Sequence, residues 1–101
     1  MRTTTKSANG TSFHGTTITT SVKKLRKVLG EPNYSANSGD DKVNFEWQAE
    51  TESGDVFTVY DWKQYKRIGE NERVEFHIGG HTNNVTVKAL DEILKALAEI
   101  E

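Results

Sequence analysis

The clearest pattern in the chain is a strict alternation of apolar and polar residues over positions 42–50. Val43, Phe45, Trp47 and Ala49 occupy one set of alternate positions, and polar residues occupy every position of the other set. Successive side chains of a β-strand point to opposite faces of a sheet, so this alternation predicts a strand with one buried face. We therefore expect a strand over residues 42–50 that presents its aromatic side chains to a core.

Two further strands are predicted after it, over residues 55–63 and 72–78. In the first, both alternate sets of positions contain apolar side chains, whereas in the second Val74, Phe76 and Ile78 all belong to one set. The connections are short enough for antiparallel neighbours. Because successive side chains of a strand point to opposite faces of the sheet, the residues of the three strands that do not face the expected core must share the opposite face. That face is expected to carry Glu46, Gln48, Thr58, Tyr60, Trp62, Glu75 and His77.

Two segments show the helical period. Apolar residues at positions 22, 25, 28 and 29 recur at helical spacing. Thr20 or Ser21 can cap this helix, and Gly30 and Pro32 are expected to end it. A second helix is predicted over about residues 84–100, where apolar positions 90, 93, 94 and 97 form one stripe.

The N-terminal part of the chain is polar. Residues 1–10 are rich in Thr, Ser and Asn and predict a flexible tail, whose threonines can still pair at a sheet edge. Residues 11–20 are rich in β-branched side chains and predict a strand. Phe13 is out of phase with Ile18 there, and Gly15 between them predicts a bulge or bend.

The predicted elements follow the order β-α-β-β-β-α. They predict the α+β class: an antiparallel sheet of three to four strands, with two amphipathic helices packed on one face. The chain has 101 residues, which is the size of one domain, so we expect a single domain over residues 11–101 after the tail. The expected core consists of Val43, Phe45, Trp47, Phe57, Val59, Val74, Phe76, Ile78, Val22, Leu25, Leu90, Leu94 and Leu97.

Charge and composition exclude several classes of protein. The formal net charge of -2 argues against a partner such as duplex nucleic acid, which usually requires a broad basic face. The absence of cysteine excludes a disulfide framework and a thiolate metal site. No apolar run approaches the ~20 residues of a membrane span, and the N-terminus lacks the pattern of a signal peptide. We expect an intracellular protein with no membrane partner and no cofactor. Small domains gain stability from added interface, so a homo-oligomer is a further possibility.

Tyr60 and Trp62 are the residues that most need an explanation, because they belong to the face opposite the expected core. Three explanations of their position are possible, besides an error in the sheet face to which they are assigned. The rings could be covered by the tail or a loop, lie in a subunit interface, or stack on a ligand.

The double glycine at positions 79 and 80 suggests a place for an anion. Gly79 and Gly80 precede the last helix, and a glycine turn at a helix N-terminus lets backbone N–H groups approach a phosphate or carboxylate. Lys63, Arg67 and His81 could add positive charge to such a site. Plain turn chemistry is the competing reading of the same residues.

The histidines permit two further readings. His77 and His81 straddle a strand end and a double glycine, so they do not share a helical face as a metal pair would, and we expect no metal site. His14-Gly15-Thr16 matches the His-x-Thr element of two-histidine phosphoesterases, but His77-Ile78-Gly79 lacks the hydroxyl residue. We therefore expect that this protein is not an enzyme. The less favoured alternative is that it is a small phosphodiesterase.

Several blocks of sequence occur in a fixed order: GTSFHGT at 10–16, LGEP at 29–32, DDKV at 40–43 with EW at 46–47, YDWK at 60–63, and HIGGH at 77–81. As a set they resemble a group of small, largely uncharacterised bacteriophage proteins. The resemblance implies a phage origin and a setting in the host cytoplasm. It implies no activity.

These observations favour a phage-encoded binding protein that sequesters or recognises a nucleotide-like anion, for example a host immune signal. Its expected ligand-binding residues are Tyr60, Trp62, Lys63, Arg67, His77, Gly79, Gly80 and His81. The alternative is a protein–protein interaction module that inhibits a host defence protein, with Tyr60 and Trp62 as hot spots of a flat interface.

Overall fold

The computed structural model describes residues 1–100, which form one antiparallel sheet and two helices. No helix within these residues is long and apolar enough to span a bilayer. The elements in chain order are β1 (Arg2–Thr3), β2 (Ser12–Thr20), α1 (Val22–Leu29), β3 (Tyr34–Ser35), β4 (Phe45–Glu50), β5 (Val56–Asp61), β6 (Val74–Gly80) and α2 (Asn83–Ile100).

The sheet has six strands in the order β1-β4-β5-β6-β2, with β3 also paired to β4. The broad α+β class agrees with the sequence, but the predicted count of three to four strands is wrong. The two additional strands are β1 and β3, and each has two residues. Both pair with the edge of β4 that β5 leaves open, β3 opposite Phe45 and Glu46 and β1 opposite Ala49 and Glu50. A two-residue strand has no alternation that a sequence could reveal, and its position is set by the unpaired backbone groups of that edge.

The N-terminal segment makes specific contacts with the sheet. Thr3 pairs with Ala49, which confirms that its threonines can join a sheet edge. The Arg2 guanidinium contacts the Glu50 carboxylate at 2.5 Å, and the Lys6 ammonium lies 3.2 Å from it. Hydrogen bonding, first from Lys6, lowers the pKa of Glu50 below its ordinary value. The flexibility expected of residues 1–10 stays a prediction.

The helix-covered face of the sheet carries the predicted aromatic core. Trp47 is 1 % exposed, and the side chains of Phe57 and Phe76 are fully buried. The Trp47 indole N–H donates to the carbonyl of Gly30 at 2.9 Å, so its one polar group is satisfied at the end of α1. The predicted phase of β4, β5 and β6 is therefore confirmed.

Three members of the expected core are less buried than predicted, and one of them, Leu90, packs against the core while partly exposed. Leu94 is 50 % exposed, because α2 buries a stripe that runs through Ala89, Ile93 and Leu97 instead. Val43 precedes the observed start of β4 at Phe45 and is only partly buried. The observed β4 is therefore three residues shorter at its N-terminal end than the strand predicted over residues 42–50.

Helix α1 begins and ends where the sequence predicts. The Ser21 hydroxyl accepts a hydrogen bond from the backbone N–H of Lys24, and this makes Ser21 the N-cap. Gly30 ends the helix with a φ of 84°, a left-handed conformation that glycine adopts without strain. In α2, the Thr82 hydroxyl accepts from the N–H of Val85 at 3.2 Å and caps the first turn in the same way.

Candidate ligand-binding site

The open face of the sheet, which the helices do not cover, carries one continuous row of side chains across four strands. Glu46 on β4 is opposite Tyr60 on β5, Tyr60 is opposite His77 on β6, and His77 is opposite Thr17 on β2. Directly opposed residues in an antiparallel sheet have Cβ atoms only about 5 Å apart. The register therefore brings the carboxylate, the phenol and the imidazole of this row together.

Four rings form an aromatic cluster on the open face: Phe13, Tyr60, Trp62 and His77. The Phe13 ring stacks on the His77 ring with centroids 3.9 Å apart and an interplanar angle of 13°. His77 is also stacked with Trp62 at 6.2 Å, and Tyr60 meets both of these rings edge to face. Phe13 is 41 % exposed and Trp62 is 38 % exposed. The cluster is thus internally ordered and open to solvent.

Phe13 belongs to this cluster although we did not expect it among the site residues. The β2–β6 register shifts between Phe13 and Thr17, and Gly15 within the shift has a φ of 94°. This confirms the predicted irregularity. The sequence indicates the position of Phe13, because Phe13 and Ile18 are separated by an odd number of positions. Such a separation along a strand puts Phe13 on the face opposite Ile18, which is the face of His77.

Two ammonium groups lie over the Trp62 ring. The Lys63 Nζ is 5.6 Å from the ring centroid, and the Lys42 Nζ is 5.9 Å from it. The backbone N–H of Lys63 donates to the carbonyl of Lys42 at 2.8 Å, so the two lysines are fixed next to each other. Lys63 was an expected site residue, whereas Lys42 was assigned only to the start of a strand.

A buried carboxylate holds the backbone that presents Trp62 and Lys63. Asp61 is 0 % exposed and accepts hydrogen bonds from the backbone N–H groups of Asn44 and Phe45 at 2.9 and 2.8 Å. The Asn44 side-chain amide donates to Asp61 at 3.1 Å and to the carbonyl of Lys66 at 3.0 Å. This network joins the segment before β4 to the segment after β5.

The segment after β5 adopts an uncommon backbone conformation. Lys63 and Tyr65 have φ angles of 54° and 51°, a left-handed conformation that residues other than glycine seldom adopt. Such conformations persist only where the surrounding contacts hold them. The hydrogen bonds of Asp61 and Asn44 provide those contacts on either side of Trp62.

An aromatic groove of about 350 Å³ runs over the open face beside this cluster. Its floor is formed by Glu46, Thr58 and Tyr60, and Val43 and Trp62 close one end. The opposite wall comes from the N-terminal segment and the start of β2, namely Ala8, Asn9, Thr11 and Ser12. The volume is within the range of small-ligand sites.

A second groove lies on the other side of Trp62. It has a volume of about 580 Å³ and shares Val43 and Trp62 with the aromatic groove. The rest of its lining is Tyr34, Asp40, Asp41, Lys42 and Tyr65. Trp62 is therefore the ridge between two surface depressions.

The titratable rings of the cluster favour their neutral forms. Burial raises the pKa of Tyr60 above its ordinary value, and the nearby Glu46 carboxylate raises it further. Burial lowers the pKa of His77, against a smaller opposing effect of Glu75. Positive charge beside the cluster at neutral pH therefore comes from the lysines over Trp62, neither of which lines the groove, and not from the imidazole of His77.

The glycine pair is placed differently from the prediction. Gly79 and Gly80 lie within β6 and pair with β2 and β5, so they do not form a turn at the start of α2. A Cβ on Gly79 would lie 2.5 Å from the Thr58 hydroxyl oxygen, which explains this glycine by the close approach of neighbouring strands. The predicted glycine turn before α2 is therefore wrong.

The glycine pair is also distant from Lys63. Gly80 pairs with Phe57, four residues before the end of β5 at Asp61. Four residues span about 13 Å of strand, and Lys63 lies beyond that end. The expected convergence of Lys63 with the double glycine does not occur.

The remaining predicted site residues lie outside the aromatic cluster. The His81 ring is exposed and sits beside Gly10 of the N-terminal segment. Arg67 is exposed in the segment after β5, with its backbone amide against Gly39. Of the predicted set, the structure brings Tyr60, Trp62, Lys63 and His77 together and places Gly79 opposite Phe13 of the cluster, whereas Arg67, Gly80 and His81 lie apart from it.

The His-x-Thr element is not assembled with His77. The Thr16 hydroxyl hydrogen-bonds with the Thr86 hydroxyl of α2 at 2.7 Å, so Thr16 faces the helix layer. His77 is on the open face. The His14 ring nitrogen Nε2 instead lies 3.0 Å from the carbonyl of Gly80.

The fold and the site together define a class: an α+β protein with an aromatic groove on the uncovered face of its sheet. We find no match to the chain among protein-family models, curated proteins or solved structures.

Proposed function

We propose that this protein binds a nucleotide-like anion in the aromatic groove and sequesters it without turnover. The expected resemblance to phage proteins makes a signal of the host immune system a fitting ligand, and the protein would then act as an anti-defence sponge. The observation that carries the proposal is the contact of two lysine ammonium groups with an exposed tryptophan that is itself part of an ordered aromatic cluster.

The arrangement suits both parts of a nucleotide. A base can stack on Trp62 or Tyr60, and base–aromatic stacking contributes about 1–3 kcal/mol per base. Lys42 and Lys63 lie over the Trp62 ring and can pair with a phosphate attached to the stacked base. Local positive charge of this kind does not require a basic protein overall, and the net charge is -2.

Native mass spectrometry of the purified protein, followed by calorimetry with AMP, GMP, CMP and UMP, tests this proposal. We expect a retained or titratable nucleotide whose affinity falls about tenfold or more in Trp62→Ala. Tyr65→Ala is the matched control, because Tyr65 is an exposed ring that does not line the aromatic groove. Equal affinity in wild type and Trp62→Ala would remove Trp62 from the site.

A second candidate function is docking on a host defence protein. It is favoured by the second groove, where Tyr34, Trp62 and Tyr65 are all exposed large aromatic residues. Tyrosine and tryptophan are enriched at protein interfaces because they combine a large apolar body with a polar tip. In this case Tyr65→Ala would weaken the complex as much as Trp62→Ala, and no small molecule would be released from the purified protein.

A further inference from the structure

Glu46 is the feature of the aromatic groove that the proposed function does not yet use. It is half-buried on the floor of the groove, directly opposite Tyr60. Among residues 1–100, no lysine or arginine forms an ion pair with it. Its hydrogen-bond donor is the Gln48 side-chain amide, which donates to Oε2 at 3.1 Å. A partly buried carboxylate is costly unless donors surround it, so Glu46 has acceptor capacity left for a ligand.

Opposite charges lie at different places around the groove. The Glu46 carboxylate lines the groove in the row of Tyr60, whereas the two ammonium groups lie over Trp62, which borders the groove, and neither lysine is part of the lining. A phosphate is attracted to the lysines and repelled by Glu46. A nucleotide therefore has one favourable orientation, with its phosphate toward Lys42 and Lys63 and the edge of its base toward Glu46.

A cationic ligand fits this groove less well. Aromatic rings beside a carboxylate can hold an ammonium group through cation–π attraction. Here, however, two lysines already lie over the Trp62 ring and would repel it. The separation of charges favours a ligand that is anionic at one end and rich in hydrogen-bond donors at the other.

An ionised carboxylate only accepts hydrogen bonds, and it has two oxygens that can accept in parallel. Guanine presents two adjacent donors, N1–H and the exocyclic N2 amino group, on its Watson–Crick edge. Adenine and cytosine present one donor next to an acceptor, and uracil presents one donor between two acceptors. We infer that the groove selects a guanine nucleotide, with the Glu46 carboxylate accepting N1–H and N2–H from the base stacked on Tyr60 or Trp62.

This inference rests on the proposed function, and calorimetry with GMP, IMP and AMP tests it separately. We expect the wild-type protein to bind GMP about tenfold or more tightly than AMP, because a bidentate contact discriminates strongly between bases. IMP keeps N1–H but lacks the exocyclic amine, so its affinity is expected to lie between them. In Glu46→Gln the preference for GMP over AMP should disappear.

Glu75→Gln is the matched control. Glu75 is a carboxylate on the same face of the sheet, but it is exposed on β6 and does not line the groove. The control should keep the wild-type preference for GMP, which separates a contact with the base from a general change in charge. Binding of GMP and AMP with equal affinity, or equal effects of the two substitutions, would overturn this inference and leave the proposed function standing. Failure of all nucleotides to bind would overturn both.

Discussion

Trp47 and Trp62 show how differently the two faces of the sheet use the same residue type. Trp47 is 1 % exposed, packs on Phe45 and Phe76, and donates its indole N–H to a helix-terminal carbonyl. Trp62 is 38 % exposed, and two ammonium groups lie over its ring. Packing explains Trp47 completely. Packing covers Trp62 only in part, so burial explains its place on the open face less completely.

The two faces also differ in how their order is achieved. On the helix-covered face, α1 and α2 bury the side chains of the central strands. On the open face, cross-strand ring contacts and the hydrogen bonds of Asp61 and Asn44 hold the aromatic cluster. Substitutions on the first face should therefore affect stability, and substitutions on the second should affect binding more than stability.

The largest effect is expected for Trp47→Ala. Truncating a fully buried large aromatic residue removes its packing and leaves a cavity, which lowers the free energy of unfolding by about 3–5 kcal/mol. Trp62→Ala should cost about 1 kcal/mol or less, because it removes one exposed ring from a cluster. Urea denaturation followed by circular dichroism measures both. Similar losses in the two variants would contradict the division between the faces.

The next effect is expected for Asp61→Asn. The Asn amide has only one acceptor oxygen, so at least one of the donors that now faces Asp61 loses its partner, at a cost of about 1–3 kcal/mol. The exposed Asp41→Asn is the control and should change stability by less than about 0.5 kcal/mol. We also expect Asp61→Asn to weaken nucleotide binding, because Asp61 fixes the segment of Trp62 and Lys63. A variant as stable as the control would mean that this network contributes little.

Gly79→Ala should lower the free energy of unfolding by about 1–3 kcal/mol. The physical reason is the 2.5 Å approach of the new Cβ to the Thr58 hydroxyl oxygen. Thr58→Ala removes that oxygen, so the double variant should lose less than the sum of the two single variants. Additive losses would show that the contact with Thr58 is not what excludes a side chain at this position.

The smallest effect is expected for the pH dependence of stability. Burial lowers the pKa of His77 in the folded protein, so the unfolded chain, with an ordinary histidine pKa of about 6.5, binds the proton more readily. The stability that neutral His77 contributes is complete above about pH 6.5 and is lost as the pH falls through the lowered pKa. His77→Phe keeps a ring against Phe13 without a titrating group. Its stability should therefore fall less than that of the wild type between pH 7 and pH 5 in urea titrations.

Much of the helix-covered face could be predicted from local patterns. Alternation placed Phe45, Trp47 and Phe76 in the core, and helical spacing with a Ser21 cap and Gly30 stop placed α1 correctly. The strands β1 and β3 could not be predicted in the same way. Two residues carry no periodic signal, and their pairing depends on the open edge of β4.

The candidate site was predicted only in part. Period 2 alone puts Tyr60, Trp62 and His77 on one face, and the register confirms this by placing Tyr60 opposite His77. Phe13 and Lys42 joined them through an irregular strand and a loop contact. The odd spacing from Ile18 puts Phe13 on the open face, but no sequence pattern places Phe13 against His77 or Lys42 over Trp62. The predicted glycine turn is wrong because two consecutive glycines are compatible with a turn and also with closely approaching strands. Only the residues around Gly79 in the structure distinguish these two arrangements.

Sequence alone determined which side chains face the helices and which face away, since that choice follows from a period of two residues along each strand. It also determined both ends of α1, because Ser21 and Gly30 act within one turn of the helix. The tertiary structure decided the strand order, the meeting of Phe13 with His77, and the position of two lysines over Trp62. Those features join residues far apart in the chain, so they depend on register and on buried hydrogen bonds such as those of Asp61.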